Sequence, residues 1–273
     1  MGSIHSIIRL FKPFELFIEV FLVCAILVLG IDSASGEELK SDFSVPDQKI
    51  MVSVLQMLGP LIKEKQRSGS APLLRWSELM QSLNSRQRLL IQSFHRFSMA
   101  SEDDDDIRPP LVRIDNQFIF KNGLTKLIPP QYVTQNVYHA FTRMNQLMQK
   151  DLGTTLRIES GYRSPAYQFY LFVSRLPRHQ FNRAATNRHV ALPGQSEHGS
   201  LQYPAIDLIN TAGINGEDHP GIFRSLPEYR WMIRHAKRCG FELSYPEATS
   251  DSAFEPWHWR YCQYTDCLPC IDN

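Results

Sequence analysis

No helix or inner strand can run through residues 101–110. Five consecutive carboxylates, Glu102 to Asp106, repel one another. Pro109 and Pro110 then remove two backbone donors and push the residues before them out of the helical region. The stretch reads as a solvated linker, because consecutive Asp residues do not give the alternating ligands of a calcium loop. The chain is thereby cut into a part with helical patterning and a part with mixed patterning.

Ahead of the linker, residues 37–100 carry apolar side chains at helical spacing. Asp47 is the expected cap of a helix over Lys49–Leu58, and a second amphipathic stretch runs from Trp76 to Phe97, with Gly69 and Pro72 in the loop between. This helical extension reads equally as a packing appendage, a spacer or a partner surface. Further upstream, Arg9 and Lys12 precede the apolar run Val20–Gly30, and small residues follow at Ser33–Gly36. That order is the pattern of an export signal over residues 1–36, and the run is about half the ~20 residues of a spanning helix. Cleavage would release the chain to a periplasm or cell envelope. Retention would anchor it in a membrane through residues 14–30.

Beyond the linker, residues 111–264 read as one α+β domain. Helices are expected over Thr134–Lys150, after Pro165 and over Pro227–Arg238, the last stopped by Gly240. Strands are expected at Thr155–Ser160, Ala205–Ile209, Phe241–Tyr245 and Trp257–Tyr261. The formal charge of +1, or 27 basic against 25 acidic residues without the first 36, leaves no global field for nucleic acid. A mean hydropathy of -0.27 excludes a polytopic membrane protein. Cys239, Cys262, Cys267 and Cys270 remain after export, an even number that suggests disulfides, with a zinc knuckle as the rival reading of the tail, 265–273.

Three separated pieces concentrate reactive side chains: Ser160-Gly161-Tyr162-Arg163-Ser164, Pro193-Gly194-Gln195-Ser196-Glu197-His198 with Ala205-Ile206-Asp207, and Phe254-Glu255-Pro256-Trp257-His258-Trp259-Arg260-Tyr261. A catalytic zinc site needs about three nitrogen or carboxylate ligands and one open position. His198, Asp207 and His258 supply two imidazoles and a carboxylate. Glu255, three residues before His258, stands where a base serves the site without being a ligand. Arg163 offers a fixed fork for a carboxylate or a developing oxyanion. Taken singly, each has a plainer role as a loop, turn or half-buried strand residue. Glu197 reads as an exposed loop acid, and Arg260 as the partner of some carboxylate.

Together, and in this order with Gly240-Phe241-Glu242-Leu243-Ser244-Tyr245-Pro246, these segments resemble the VanY-type D-alanyl-D-alanine carboxypeptidases, zinc peptidases related to lysostaphin-type enzymes and the hedgehog domain. The resemblance covers about residues 134–264. It implies a small antiparallel sheet carrying the zinc site and flanked by helices. It implies one zinc ion on His198, Asp207 and His258, Glu255 as general base and acid, and Arg163 on the carbonyl oxygen or substrate. Ser196, Gln168 and Tyr162 would line the substrate cleft, walled by Trp257. The substrate would be the peptidoglycan stem peptide, and the protein a monomer.

One segment departs from the pattern. The family reads His-x-x-Gly-x-Ala-x-Asp, whereas His198 to Asp207 here is two residues longer and lacks that Gly. Since Ala205-Ile206-Asp207 is intact, the extra residues are expected to bulge outward and leave both ligands in register. Residues 178–192 and 210–224 read as cleft-edge insertions. Two other functions stay open, a zinc-stabilised module that binds without cleaving and an endopeptidase using the same site.

Overall fold

A computed structural model of the chain describes residues 40–95, 110–246 and 254–262. The export segment, the acid run of the linker, Cys267 and Cys270 lie outside the described residues. Among those described, no helix is long and apolar enough to cross a membrane.

The helical extension forms α1 (Val45–Ser68), α2 (Trp76–Gln81) and α3 (Ser85–His95). The cap of α1 is Ser44 rather than Asp47: the Ser44 hydroxyl accepts from the Asp47 amide at 3.3 Å, and the Asp47 carboxylate accepts from that hydroxyl at 2.6 Å. The single stretch expected from Trp76 onward is two helices. Asn84 and Gln87 exchange side-chain and backbone bonds of 2.9 and 3.0 Å, a reciprocal cap that restarts the chain as α3.

Four short strands follow: β1 (Leu111–Ile114), β2 (Phe118–Lys121), β3 (Leu124–Leu127) and β4 (Gln131–Thr134), paired antiparallel as β1–β4 and β2–β3. Then come α4 (Gln135–Leu152), β5 (Leu156–Ser160), α5 (Pro165–Arg175), α6 (Arg183–Asn187), β6 (Ala205–Asn210), α7 (Pro220–Ser225), α8 (Pro227–His235), β7 (Phe241–Leu243) and β8 (His258–Tyr261). The α+β architecture is as expected, and the central sheet is antiparallel in the order β5-β6-β8-β7.

Two apolar cores hold these layers together. In the first, Val137, Phe141, Met144 and Met148 of α4 pack on Ile158 of β5 and Leu208 of β6. The second is shared between the extension and α5. Met51, Val54 and Leu58 of α1 and Leu79 of α2 meet Phe169 and Phe172 on α5, all of them sealed from solvent. The extension is therefore packed directly against the helix that follows Arg163.

Among the described residues, the outer edge of β5 has no neighbouring strand along Leu156–Ile158 and is covered by side-chain amides instead. Asn145 binds both backbone groups of Leu156, at 3.0 and 2.9 Å. Gln117 does the same for Ile158, at 2.9 and 2.8 Å. Each amide presents one donor and one acceptor in the spacing a strand would offer.

Candidate metal centre

Strand register brings two of the three candidate ligands together. Asp207 of β6 pairs directly with His258 of β8, so both side chains leave the same face of the sheet as close cross-strand neighbours. Ser160 of β5 lies opposite Asp207 on the other side, after a bulge at Glu159 that re-aims the strand end. His198 arrives from a single turn of 3-10 helix, Glu197–Gly199. The longer connection to Asp207 bulges into solvent as expected, with Leu201 52% exposed.

Both imidazoles converge on one carboxylate. His198 Nε2 lies 3.1 Å from Asp207 Oδ2, and His258 Nδ1 lies 2.9 Å from Asp207 Oδ1. All three residues are buried, and the candidate ligand atoms fall within 4.8 Å of one another. Each ring is anchored from behind through its other nitrogen. His198 Nδ1 is 2.8 Å from the Gly161 carbonyl, and His258 Nε2 is 2.9 Å from Glu197 Oε2. Gly161 is required for the first anchor, since a Cβ there would stand 2.2 Å from the Tyr132 carbonyl oxygen.

The protons test whether these residues suit a cation. Burial, aided by the nearby Arg163 charge, pushes His198 down to about 4, so its ring is neutral at pH 7. A carbonyl can only accept, so the single ring proton sits on Nδ1, toward Gly161. Nε2 then turns a bare lone pair on the Asp207 oxygen. Two lone pairs facing each other across a dry gap call for a shared cation. A tetrahedral zinc with ~2.0–2.1 Å bonds separates its ligand atoms by about 3.3 Å, close to the distances here. Burial alone would lower His258, but its bonds to Asp207 and Glu197 outweigh that and push it up to about 9, so a metal would displace one proton there. Burial also opposes the charge on Asp207, yet the two histidines hold it well below the usual carboxylate range. The donor set fits zinc.

The remaining candidates sit on the segments that carry or adjoin this cluster. Arg163 donates from Nη2 to Asp207 Oδ2 at 2.8 Å and from Nε to Ser160 Oγ at 2.9 Å, while Nη1 makes a longer contact of 3.5 Å with Gln168 Oε1. Glu255 lies on the segment entering β8, its amide bonded to the Tyr245 carbonyl and its own carbonyl accepting from His258. Burial pushes its carboxyl up to about 7, with His258 pulling the other way. Trp257 is half-buried and stacked against Gly216, whose Cβ would meet the indole at 2.2 Å. Ser196 opens the turn that carries His198 and is half-buried. Gln168 and Tyr162 are buried, and Gln168 ties Arg163 to the Ala191 carbonyl of the 178–192 insertion.

Glu197 is not the exposed loop acid expected from sequence. Its side chain is 19% exposed and turned inward, accepting also from Ser244 Oγ at 2.5 Å and Arg260 Nη1 at 3.4 Å. The signal available was its position beside a candidate ligand, but a loop spacing carries no direction.

Residues 130–264 match the family model of VanY, D-alanyl-D-alanine carboxypeptidase. This part of the chain belongs to that family. The VanY-type domain is thus of a carboxypeptidase kind, and the match starts just before β4 and ends just after β8. Among solved structures, the chain is similar to a mutant of the vancomycin resistance D,D-pentapeptidase VanY from a VanB-type resistance cassette in complex with Zn(II). Identity is 22%, covering 57% of this chain and 80% of that one, with a TM-score of 0.42. It is also similar to the LD-carboxypeptidase LdcB, at 24% identity, 57% and 70% coverage and a TM-score of 0.44. DacB from Streptococcus pneumoniae D39 follows at 26% identity, 48% and 67% coverage and a TM-score of 0.36. No curated protein matches the sequence. The family assignment rests on the sequence match.

Proposed function

We propose that the chain is an exported zinc carboxypeptidase that removes the terminal D-alanine from peptidoglycan stem peptides, working in the cell envelope as a monomer. One observation carries the zinc part of this reading: buried His198, Asp207 and His258 bring candidate ligand atoms within 4.8 Å of one another, with His198 Nε2 and His258 Nδ1 each facing an Asp207 oxygen. Zinc held by these three side chains supplies Lewis acidity to the scissile carbonyl and to an attacking water.

The chain's own residues do the rest. Glu255 accepts a proton from the water and returns it to the leaving amine as the C–N bond breaks and a C–O bond forms. Burial raises that carboxyl above the ordinary carboxylate range, to about 7 without a metal, which eases return of the proton. Arg163 fixes Asp207 through Nη2, and its loosely held Nη1 is the end that meets the substrate's carbonyl or carboxylate oxygen. Ser196, Tyr162, Gln168 and Trp257 shape the cleft around it. Residues 1–36 direct export.

The test is a digest of defined muropeptides by the purified chain, with and without a chelator, read by mass spectrometry. The expected result is release of D-alanine, abolished by the chelator and by Glu255→Ala while zinc stays bound. Full activity in E255A refutes the mechanism. Zinc binding with no cleavage of any muropeptide would make this a binding module, and release of larger fragments an endopeptidase.

A further inference from the structure

The geometry points to Glu197 as the residue that orients His258 and sets the metal affinity of the site. This inference rests on the zinc reading above and deepens it by assigning a positioning residue that is not itself a ligand.

Glu197 and His198 are adjacent in one tight turn, yet their side chains reach the centre from opposite sides. His198 faces Asp207 through Nε2, whereas the Glu197 carboxylate lies behind the His258 ring, 2.9 Å from its Nε2. A carboxylate can only accept, so this contact holds a proton on Nε2, and the proton that a metal would displace is the one on Nδ1, 2.9 Å from Asp207. Glu197 is held in turn by two side chains that are not themselves candidate ligands. Ser244, just after β7, donates to the same Oε2 at 2.5 Å, and Arg260 of β8 approaches Oε1 at 3.4 Å.

The two histidines are therefore anchored unequally. His198 leans on a neutral carbonyl, that of Gly161, and His258 on a full negative charge. The charged anchor raises the basicity of the ligand in front of it. One turn thus delivers the first ligand and fixes the tautomer of the third, which couples their placement.

The experiment compares zinc dissociation constants of the full chain and its E197A, E197Q, S244A and R260A variants, by competition with a chromophoric chelator at fixed pH. Cobalt(II) absorption reports ligand geometry, and melting of the metal-free forms reports folding. E197A is expected to weaken zinc by about 10–100-fold and shift the cobalt spectrum. E197Q, whose amide oxygen still accepts from Nε2, should recover part of the loss, and S244A should weaken zinc less than E197A. Should E197A fail to fold, E197Q and S244A decide the matter: zinc affinity unchanged in both overturns the inference. So does a folded E197A within about twofold of the parent, or an R260A loss as large as that of E197A, which would reduce Glu197 to an ion-pair partner. A parent chain that binds no zinc sinks the zinc reading itself, a result distinguishable from failure at Glu197 alone.

Discussion

Replacing Gln117 with Ala removes one side chain and strands two backbone groups. Gln117 is 6% exposed and Ile158 fully buried, and the amide satisfies both the N–H and the C=O of Ile158. Each orphaned buried group costs about 1–3 kcal/mol, and water entering the vacated space recovers part, so the net loss should be about 2–4 kcal/mol. With a urea slope of about 2–3 kcal/mol/M, the unfolding midpoint should fall by roughly 1–2 M. Q117E should be worse than Q117A above the carboxyl pKa, because an oxygen would face the Ile158 carbonyl where the amide now places a donor. Urea melts followed by far-UV circular dichroism measure both variants. A midpoint for Q117A within about 0.3 M of the parent, or a Q117E as stable as the parent, would refute the view that this amide stands in for a missing strand.

Three other outcomes follow from the same geometry. Gly161→Ala should force β5 from β4, break the carbonyl anchor of His198 and weaken zinc binding more than it lowers the melting temperature; parent-like zinc affinity by chelator competition would count against it. Only ionised Glu255 accepts a proton, so kcat/KM should fall as pH drops through its pKa; a nearby dication favours the anion, placing this acidic limb below the value of about 7 that burial gives without metal. A pH–rate profile with its acidic limb above 7 would contradict that order. Deleting residues 1–95 bares Phe169, Phe172 and Val173, each worth about 1.5–3 kcal/mol of burial, a loss comparable to a domain's whole stability of about 5–15 kcal/mol. The fragment should lack near-UV dichroism, and cooperative unfolding of it would show the extension to be dispensable.

The sheet and the candidate triad on it were legible because they rest on local signals. Mostly apolar residues mark Ala205–Asn210 as a buried strand, apolar and polar residues alternate over His258–Tyr261, and Asp207 stays in register with His258 despite an insertion that points outward. Gly240 ends its helical stretch in the left-handed region as its position suggested. What stayed hidden depends on contacts distant in sequence. Gln117 and Asn145 look like ordinary polar residues until β5 proves to lack a neighbour on that side. The β2–β3 hairpin turns at Asn122-Gly123, a readable turn pair, but its strands expose Phe118 and Phe120, so no inward face stands out in the pattern. Glu197 was misread because a charged residue in a loop is ordinarily solvated, and only the fold shows Ser244, His258 and Arg260 converging on it.

The residue next to Arg163 joins the helical extension to the candidate site. Ser164 caps α5 by accepting from the Tyr167 amide at 3.2 Å, and the same hydroxyl donates to the Leu74 carbonyl at 2.6 Å. Its own amide donates to the Pro72 carbonyl at 2.8 Å. The loop between α1 and α2 is thus stitched to the junction of β5 and α5, where Arg163 turns toward Asp207. A side chain with many rotamers holds one geometry only when the backbone on both sides of it is fixed. β5 is fixed by the amides at its edge, and α5 by its cap and by the core it shares with α1 and α2. The family match begins at residue 130, but the packing that steadies its arginine begins at Met51. The extension is therefore tied through Ser164 to the junction that carries Arg163, which limits how far that side chain can swing from Asp207.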